Sequence, residues 1–438
     1  MRPSLVGDAV PRRLWRLPLG YFGSDESRGS GMGGLRSGYV TGVLPGVLWT
    51  FVVATTVAVA WSFATGDAYR PSLIWSAAAG AGLGLAGLRW RRGGSRMAIW
   101  GAMALVVVAG LVASWSPVAV GDSATATGRV SALIATALGS GIGLWVILRD
   151  CTPGALSRHH FEAALIRFLT GFGYIFFTAI VLIPFYVMVM TSLKSQQALL
   201  QNPLDFSLDL SRGWDLLRSY RELLTDYNFG RYLWTSFGVS VATVAITLAF
   251  SIPGAYAVAR LRFRGRALFS RSILLIYMVP MIVLALPIYI GFSMVGLRNS
   301  LFGIVLIYPV TTIPVALYML QGYFRGLPAE VEEAGLMDGL SRLAVIWKIT
   351  LPLSLPALAS VSLYVFMIAW NEFLLAFMLL DDPSKFTLTR GIASLNSSEI
   401  PRQHLMAGAV IATVPIMALF LGLERFMTKG LTAGSVKG

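Results

Sequence analysis

A polar-studded stretch set between two apolar runs of a very apolar chain runs from Leu327 to Pro352, LPAEVEEAGLMDGLSRLAVIWKITLP. It carries Glu330, Glu332 and Glu333, then Asp338 beside Gly339, then Arg342 and Lys348. These groups offer charge, and no nucleophile–base constellation stands out among them or elsewhere. A second candidate is the run Trp370-Asn371-Glu372-Phe373, a carboxylate and an amide between two aromatic rings. That set suits a sugar, by hydrogen bonding and ring stacking; it equally suits an interhelical hydrogen bond to a partner subunit. An ionisable group within an apolar segment is costly and usually faces a cavity. His159-His160 invites a metal, but adjacent residues do not share a helix face, and no third ligand is evident. Cys151 is the one cysteine, so no disulfide and no cysteine-based metal site forms within one chain. No G-x₄-G-K-[ST] sequence occurs, so any nucleotide hydrolysis belongs to a partner.

The elements that must hold these residues are membrane helices. Hydrophobic residues make up 56% of the 438 and charged residues 13%, against roughly a quarter in soluble domains. A spanning helix needs about 20 predominantly apolar residues. Candidate spans lie near 43–65, 71–88, 97–117, 130–148, 166–192, 232–259, 271–296, 301–322, 355–380 and 405–423, the second being short and glycine-rich. The expected fold is an all-α polytopic membrane protein. The net charge of +14 follows topology and not nucleic acid, because the arginines cluster in alternate gaps. Arg89, Arg91, Arg92 and Arg96 fill one such gap; Arg149, Arg158 and Arg167 another; Arg260, Arg262, Arg264, Arg266 and Arg271 a third. The positive-inside rule makes those gaps cytoplasmic, and with them both termini and the loop 324–352. The first apolar run begins too far into the chain for a cleavable signal peptide.

Three regions are expected: a flexible N-terminus over 1–42, an accessory set of about four helices over 43–160, and a core over 161–438. Gly80, Gly82 and Gly84, then Gly139, Gly141 and Gly143, allow close helix packing in the accessory region. An even number of added spans keeps the orientation of the later ones. The outward loops near 193–231 and 381–404 either contact a binding protein or cap the bundle.

Within the loop, Pro328 fits a first helical turn and the glutamates come next, where the helix dipole favours negative charge. Gly339 permits positive φ after Asp338. A second amphipathic helix is predicted with Leu340, Leu343, Ile346, Trp347 and Ile349 near helical spacing. Pro352 and Pro356 then break or kink the approach to the next span. The product is a short, stiff, bent lever; a surface-lying amphipathic connector has the same shape.

Glu333-Ala334-Gly335, Asp338-Gly339 and Ile349-Thr350-Leu351-Pro352 together resemble the coupling loop of ABC importer permeases, E-A-A-x₂-D-G followed by I-x-L-P. Gly335 stands where that pattern has alanine, and Leu340 where alanine is common. The resemblance covers roughly residues 161–438 and is to the carbohydrate branch, similar to the second membrane subunit of the maltose transporter. It also draws on Pro184-Phe185-Tyr186 through Lys194, on Ala255-Tyr256-Ala257-Val258-Ala259-Arg260 and its basic continuation, and on Gln321-Gly322-Tyr323-Phe324. Trp370–Phe373 and the tail Gly430–Gly438 complete it. The resemblance implies a six-helix core, a second permease subunit, a cytoplasmic ATPase dimer using ATP and Mg, and an extracytoplasmic solute-binding protein delivering a sugar. No cofactor is implied on this chain. The implied ATPase-coupling residues are Glu332, Glu333, Ala334, Asp338, Gly339, Leu351 and Pro352, with a further ATPase contact at Ser435, Val436, Lys437 and Gly438. Trp370, Asn371 and Glu372 are the substrate-path candidates. Two rivals are an ion-coupled secondary transporter, which leaves the polar loop unexplained, and a non-transporting scaffold or sensor built on the first four helices.

Overall fold

The computed structural model describes residues 37–89, 97–121, 124–202, 207, 210–397 and 400–432. The tail Ser435–Gly438 and most of the N-terminal region 1–42 lie outside these residues. The described chain is helical apart from one short strand pair, in keeping with segments that must satisfy their backbone internally in lipid. It forms two compact units. One runs through Ser62 and from Asp67 to Phe176; the other takes Phe63–Gly66 and Phe177 onward.

The first unit contains α1 (Gly38–Thr65), β1 (Tyr69–Pro71), α2 (Leu73–Arg89), α3 (Met97–Val112), β2 (Val118–Val120) and α4 (Ala126–Ile147). The two strands pair antiparallel, Arg70 opposite Ala119. Helices α1 and α2 cross backbone to backbone: a Cβ on Gly80 would collide with the Gly46 carbonyl, and one on Gly84 with that of Gly42. Gly82, on the other face of α2, meets open space. Trp49 donates its indole N–H to the Gly139 carbonyl at 3.2 Å, locking α1 against α4. Cys151 is fully buried in this unit's core.

Helix α5 (Arg158–Ser192) leads into the second unit, followed by α6 (Gln196–Gln201), a 3₁₀ turn Leu210–Leu217 and α7 (Arg218–Thr225). The central pair is α8 (Phe229–Arg260) and α11 (Leu301–Gly326), which pack along their lengths, with Thr247 and Thr312 hydroxyls 2.6 Å apart between them. Between these come α9 (Arg266–Tyr277) and α10 (Met281–Met294). The single span predicted over 271–296 is therefore two helices broken at Met278–Pro280. Pro280 has no N–H to continue α9 and sits as the N-cap of α10.

Among the described residues, six helices are long and apolar enough to cross a membrane: α1, α4, α5, α8, α11 and Arg402–Leu423 of the last helix. A bent pair, Arg342–Leu353 with Leu355–Asn371, makes a seventh when taken as one span. Leu73–Leu88, Ala98–Val112 and Met281–Met294 are apolar but shorter, each under about 25 Å at 1.5 Å per residue. The ten-span expectation thus reduces to about six long spans among the described residues. Hydropathy counted apolar runs without seeing where the backbone ends each helix.

Candidate functional site: the loop between two core helices

The loop begins where α11 ends. Pro328 caps α12 (Ala329–Met337), placing Glu330 and Glu332 in its first turn. At its far end Gly339 takes φ +86, and the backbone N–H groups of Gly339 and Leu340 return to the carbonyls of Leu336 and Gly335, each at 3.1 Å. This left-handed cap stops the helix as the Asp338-Gly339 pair predicts. Ser341 then caps α13 (Arg342–Val345), its hydroxyl accepting from the Ala344 N–H at 3.3 Å. A π-helical turn, Ile346–Thr350, leads into α14 (Leu351–Leu353). Pro352 explains that turn: it has no N–H to donate and its ring would clash with the carbonyl four residues back, so the coil widens before it. Leu351 accordingly donates to Ile346. An 80° bend comes next, and α15 (Leu355–Asn371) enters the bundle.

One side of the loop is clamped to the core. Glu332 is buried, with Oε1 3.4 Å from the Arg260 Nε and Oε2 accepting from the Tyr256 hydroxyl at 3.2 Å. The Thr350 hydroxyl donates to the same carboxylate at 3.0 Å. Arg260 also donates to the Leu327 carbonyl at 2.7 Å, fastening the end of α11. Glu332 thereby joins the last turns of α8, the start of α12 and the π turn. A buried charge is tolerable when it is paired and hydrogen-bonded, and here the carboxylate has Arg260 beside it and two hydroxyl donors. Gly335 is buried against Ile349, Leu340 and Val345, and an added Cβ would press on the Ile349 methyl terminus. That packing gives a physical reason for glycine where the pattern has alanine.

The other side is bare. Glu333, Ala334, Asp338 and Gly339 are exposed. So are large apolar side chains: Met337 is 88% exposed, and Leu343 and Trp347 are each 71% exposed. The amphipathic stripe predicted for the second helix is thus split: Leu340, Ile346 and Ile349 are half-buried, while Leu343 and Trp347 are exposed. The predicted site residues separate in the same way: Glu332 is anchored, Glu333, Ala334, Asp338 and Gly339 lie on the exposed rim, and Leu351 and Pro352 lie just before the bend. Arg260, Tyr256 and Thr350 stood in stretches whose patterns were visible, but nothing in the sequence showed that they converge on Glu332.

The second candidate set is distributed differently. Trp370 is buried and donates its indole N–H to the Ala412 carbonyl at 3.2 Å in α18 (Arg402–Thr432). Asn371 is exposed, its amide bonded to the Met367 carbonyl at 2.9 Å. Glu372 ends α15 and starts α16 (Leu374–Leu379), accepting backbone N–H groups of Leu375 at 2.8 Å and Ala376 at 3.1 Å. Thr389, in α17 (Leu388–Ser394), donates to the Glu372 carbonyl at 2.6 Å. The structure does not bring these three side chains together around one space. Nor, among the described residues, does any group of three His, Cys, Asp or Glu side chains converge.

The segment between α5 and α8 is pinned by polar contacts. Tyr220 and Ser192 hydroxyls are 2.6 Å apart, and Glu222 lies 2.7 Å from the His404 Nε2 on α18. The Arg218 hydrogen bond is the main effect holding the Glu222 carboxyl below the usual carboxylate range; burial opposes it, and the His404 hydrogen bond adds a smaller lowering. Trp214 in the same loop is 89% exposed.

Comparison with known proteins settles what this arrangement belongs to. Residues 251–432 match the family described as binding-protein-dependent transport system inner membrane component. The inner membrane ABC transporter permease protein YcjP of Escherichia coli (strain K12) is 36% identical over 270 residues, 61% of this chain and 95% of that protein. The chain belongs to this family. The permease is also 34% identical, over 63% of its length and 99% of the other, to the trehalose/maltose transport system permease protein MalG of Thermococcus litoralis. A crystal structure of a bacterial ABC transporter involved in importing the acidic polysaccharide alginate shares its fold. That match has a TM-score of 0.53 at 24% identity, covering 62% of this chain and 98% of that one. The protein is thus the multi-pass membrane permease subunit of an ABC importer, a transport subunit and not an enzyme, and it couples to a separate ATPase.

Proposed function

We propose that the permease imports a sugar or glycoside delivered by an extracytoplasmic solute-binding protein, paired with a second permease subunit. A cytoplasmic ATPase dimer that binds ATP and Mg drives it. Relatives named for trehalose/maltose transport and for trehalose transport support the substrate class. The observation that carries the coupling assignment is the two-sided loop: Glu332 clamped inward, and Glu333, Met337, Asp338 and Trp347 free outward. ATPase closure pushes the free rim; the clamp transmits the push to α8 and α11, and the 80° bend turns it into rotation of α15. Inward and outward access then exchange as a population shift driven by differential contacts. The tail Ser435–Gly438 is a further ATPase contact, and Asn371 and Glu372 lie on the substrate path or at the subunit interface.

The arginine-rich gaps support a cytoplasmic loop and cytoplasmic termini. In this reading α2, α3 and α10 also cross, with local thinning or snorkelling covering their short length. Residues 43–160 form an accessory module before a core over 161–438. Deleting residues 1–160 tests that division: full transport by the remainder makes the region accessory, and loss of assembly makes it structural.

The test of the main reading is co-purification from detergent. The wild type is expected to bring down an ATPase and a second permease subunit, and Gly339→Pro to lose the ATPase alone. A wild type that purifies by itself, with uptake driven by an ion gradient, overturns the reading in favour of a secondary transporter.

A further inference from the structure

Below the core helices a cavity of about 540 Å³ opens between the α8–α9 connection and the end of α11. Its walls include Arg266, Arg271 and Arg325, with Ser270 and Phe263 between them, and no Asp or Glu lines it. Two neutral groups soften this charge without cancelling it. Arg266 donates to the Ala259 carbonyl at 3.1 Å, and turning the Gln321 amide puts its oxygen 2.7 Å from an Arg325 Nη2. Arg262 and Arg264 stand exposed on the same connection. Three guanidinium groups in one recess repel each other, and among the described residues no carboxylate is paired with any of them. Such a recess is complete only with an anion in it, and guanidinium forks match phosphate oxygens well.

The same segment says where that anion comes from. Leu268, Phe269 and Leu275 of α9 are exposed, Leu268 at 72%, on the helix that supplies Arg266 and Arg271. Guanidinium groups beside uncovered apolar side chains at the end of a membrane helix is the arrangement of an interface, with acyl chains on one side and headgroups on the other. The 540 Å³ volume accommodates a phosphodiester headgroup.

We propose that this cavity binds the phosphate of an anionic phospholipid from the cytoplasmic leaflet, with Arg266, Arg271 and Arg325 as its ligands and the acyl chains lying along α9. The inference rests on the cytoplasmic placement given under Proposed function. Because Arg325 is three residues before Pro328, the bound lipid would steady the end of α11 from which the coupling loop departs.

The experiment uses the assembled importer in nanodiscs of phosphatidylcholine with and without phosphatidylglycerol, reading retained lipid by mass spectrometry after partial delipidation. Arg271→Gln and Arg325→Gln are the variants, both at exposed positions; Arg266 is left intact because it also bonds the backbone. The wild type is expected to retain phosphatidylglycerol over phosphatidylcholine. Each substitution should weaken that preference roughly fivefold, the effect of about one basic residue at an anionic surface. Equal retention by wild type and double variant overturns the proposal. Saturable binding of inorganic phosphate in pure phosphatidylcholine, with no phosphatidylglycerol preference, overturns the lipid source and assigns the site to a free anion. Loss of the preference when the ATPase is present but not when it is stripped away gives the cavity to an acidic group of that subunit, which also overturns the proposal. ATPase co-purification from the same sample reports on the permease reading separately, so the two can fail independently.

Discussion

The carboxylate of Glu332 lies 3.4 Å from the Arg260 guanidinium, so the first turn of the loop helix is tied to the last turn of a core span. Glu333, one residue on, faces away from the chain. Two adjacent glutamates therefore have opposite surroundings, one clamped to the core and the other exposed.

Removing one member of the clamp should be costly. Glu332→Ala leaves the half-buried Arg260 charge without its carboxylate, a loss of up to about 3 kcal/mol, the low end for breaking a buried pair from one side. A lowered thermal-denaturation midpoint of the purified complex is expected, with ATP hydrolysis retained but poorly linked to uptake. Glu333→Ala should leave the midpoint unchanged and weaken ATPase binding instead. Equal effects of the two variants on stability would contradict the division of roles.

Gly339 has φ +86 and no neighbouring atom within 4 Å of an added Cβ, so the strain of a side chain there is conformational and not steric. Gly339→Val should cost roughly 1–2 kcal/mol, and Gly339→Asn much less, because asparagine visits the left-handed region readily. Co-purified ATPase, compared across the two variants, is the readout.

Glu372→Gln keeps one acceptor for the two backbone N–H groups that the carboxylate now holds, so a change of about 1 kcal/mol or less in stability is expected. Transport should nevertheless fall, with the complex still assembled. Normal uptake by this variant would remove Glu372 from the substrate path and leave it as the cap of α16.

Glu222 supplies a pH-dependent contact between α7 and α18. Its carboxyl is held below the ordinary range, first by Arg218 and then by His404, so its folded-state pKa lies under the unfolded one. The stability it contributes is present above the unfolded value and disappears as pH falls through the folded one. Thermal stability should therefore decline on acidification below the ordinary carboxylate range. Glu222→Gln should be less stable near neutral pH and less sensitive to that change.

Much of the loop was legible because its signals are local: a proline that starts a helix, acids at its dipole, a glycine that ends it. The family resemblance was equally local, resting on ordered short strings. What the sequence hid was convergence. Arg260, Tyr256 and Thr350 come from three segments, and only packing brings them to Glu332. Hydropathy also hid where helices break. Hydropathy over 271–296 is continuous, yet Pro280 ends one helix and begins another. Trp370-Asn371-Glu372 looked like one site because the residues are adjacent; the end of α15 sends Trp370 into the core, Asn371 outward and Glu372 onto the next helix.

The central claim is that the exposed rim of the loop meets an ATPase. In a Cys151→Ser background, whose native thiol is buried, Met337→Cys places one reactive group on that rim. Trp214→Cys places one at an exposed position before α7, outside the coupling loop, as a control. Cross-linking the assembled complex in membranes should join the Met337→Cys variant to the ATPase subunit and the Trp214→Cys variant to no ATPase. No ATPase adduct at position 337 in a complex that hydrolyses ATP and transports would contradict the account.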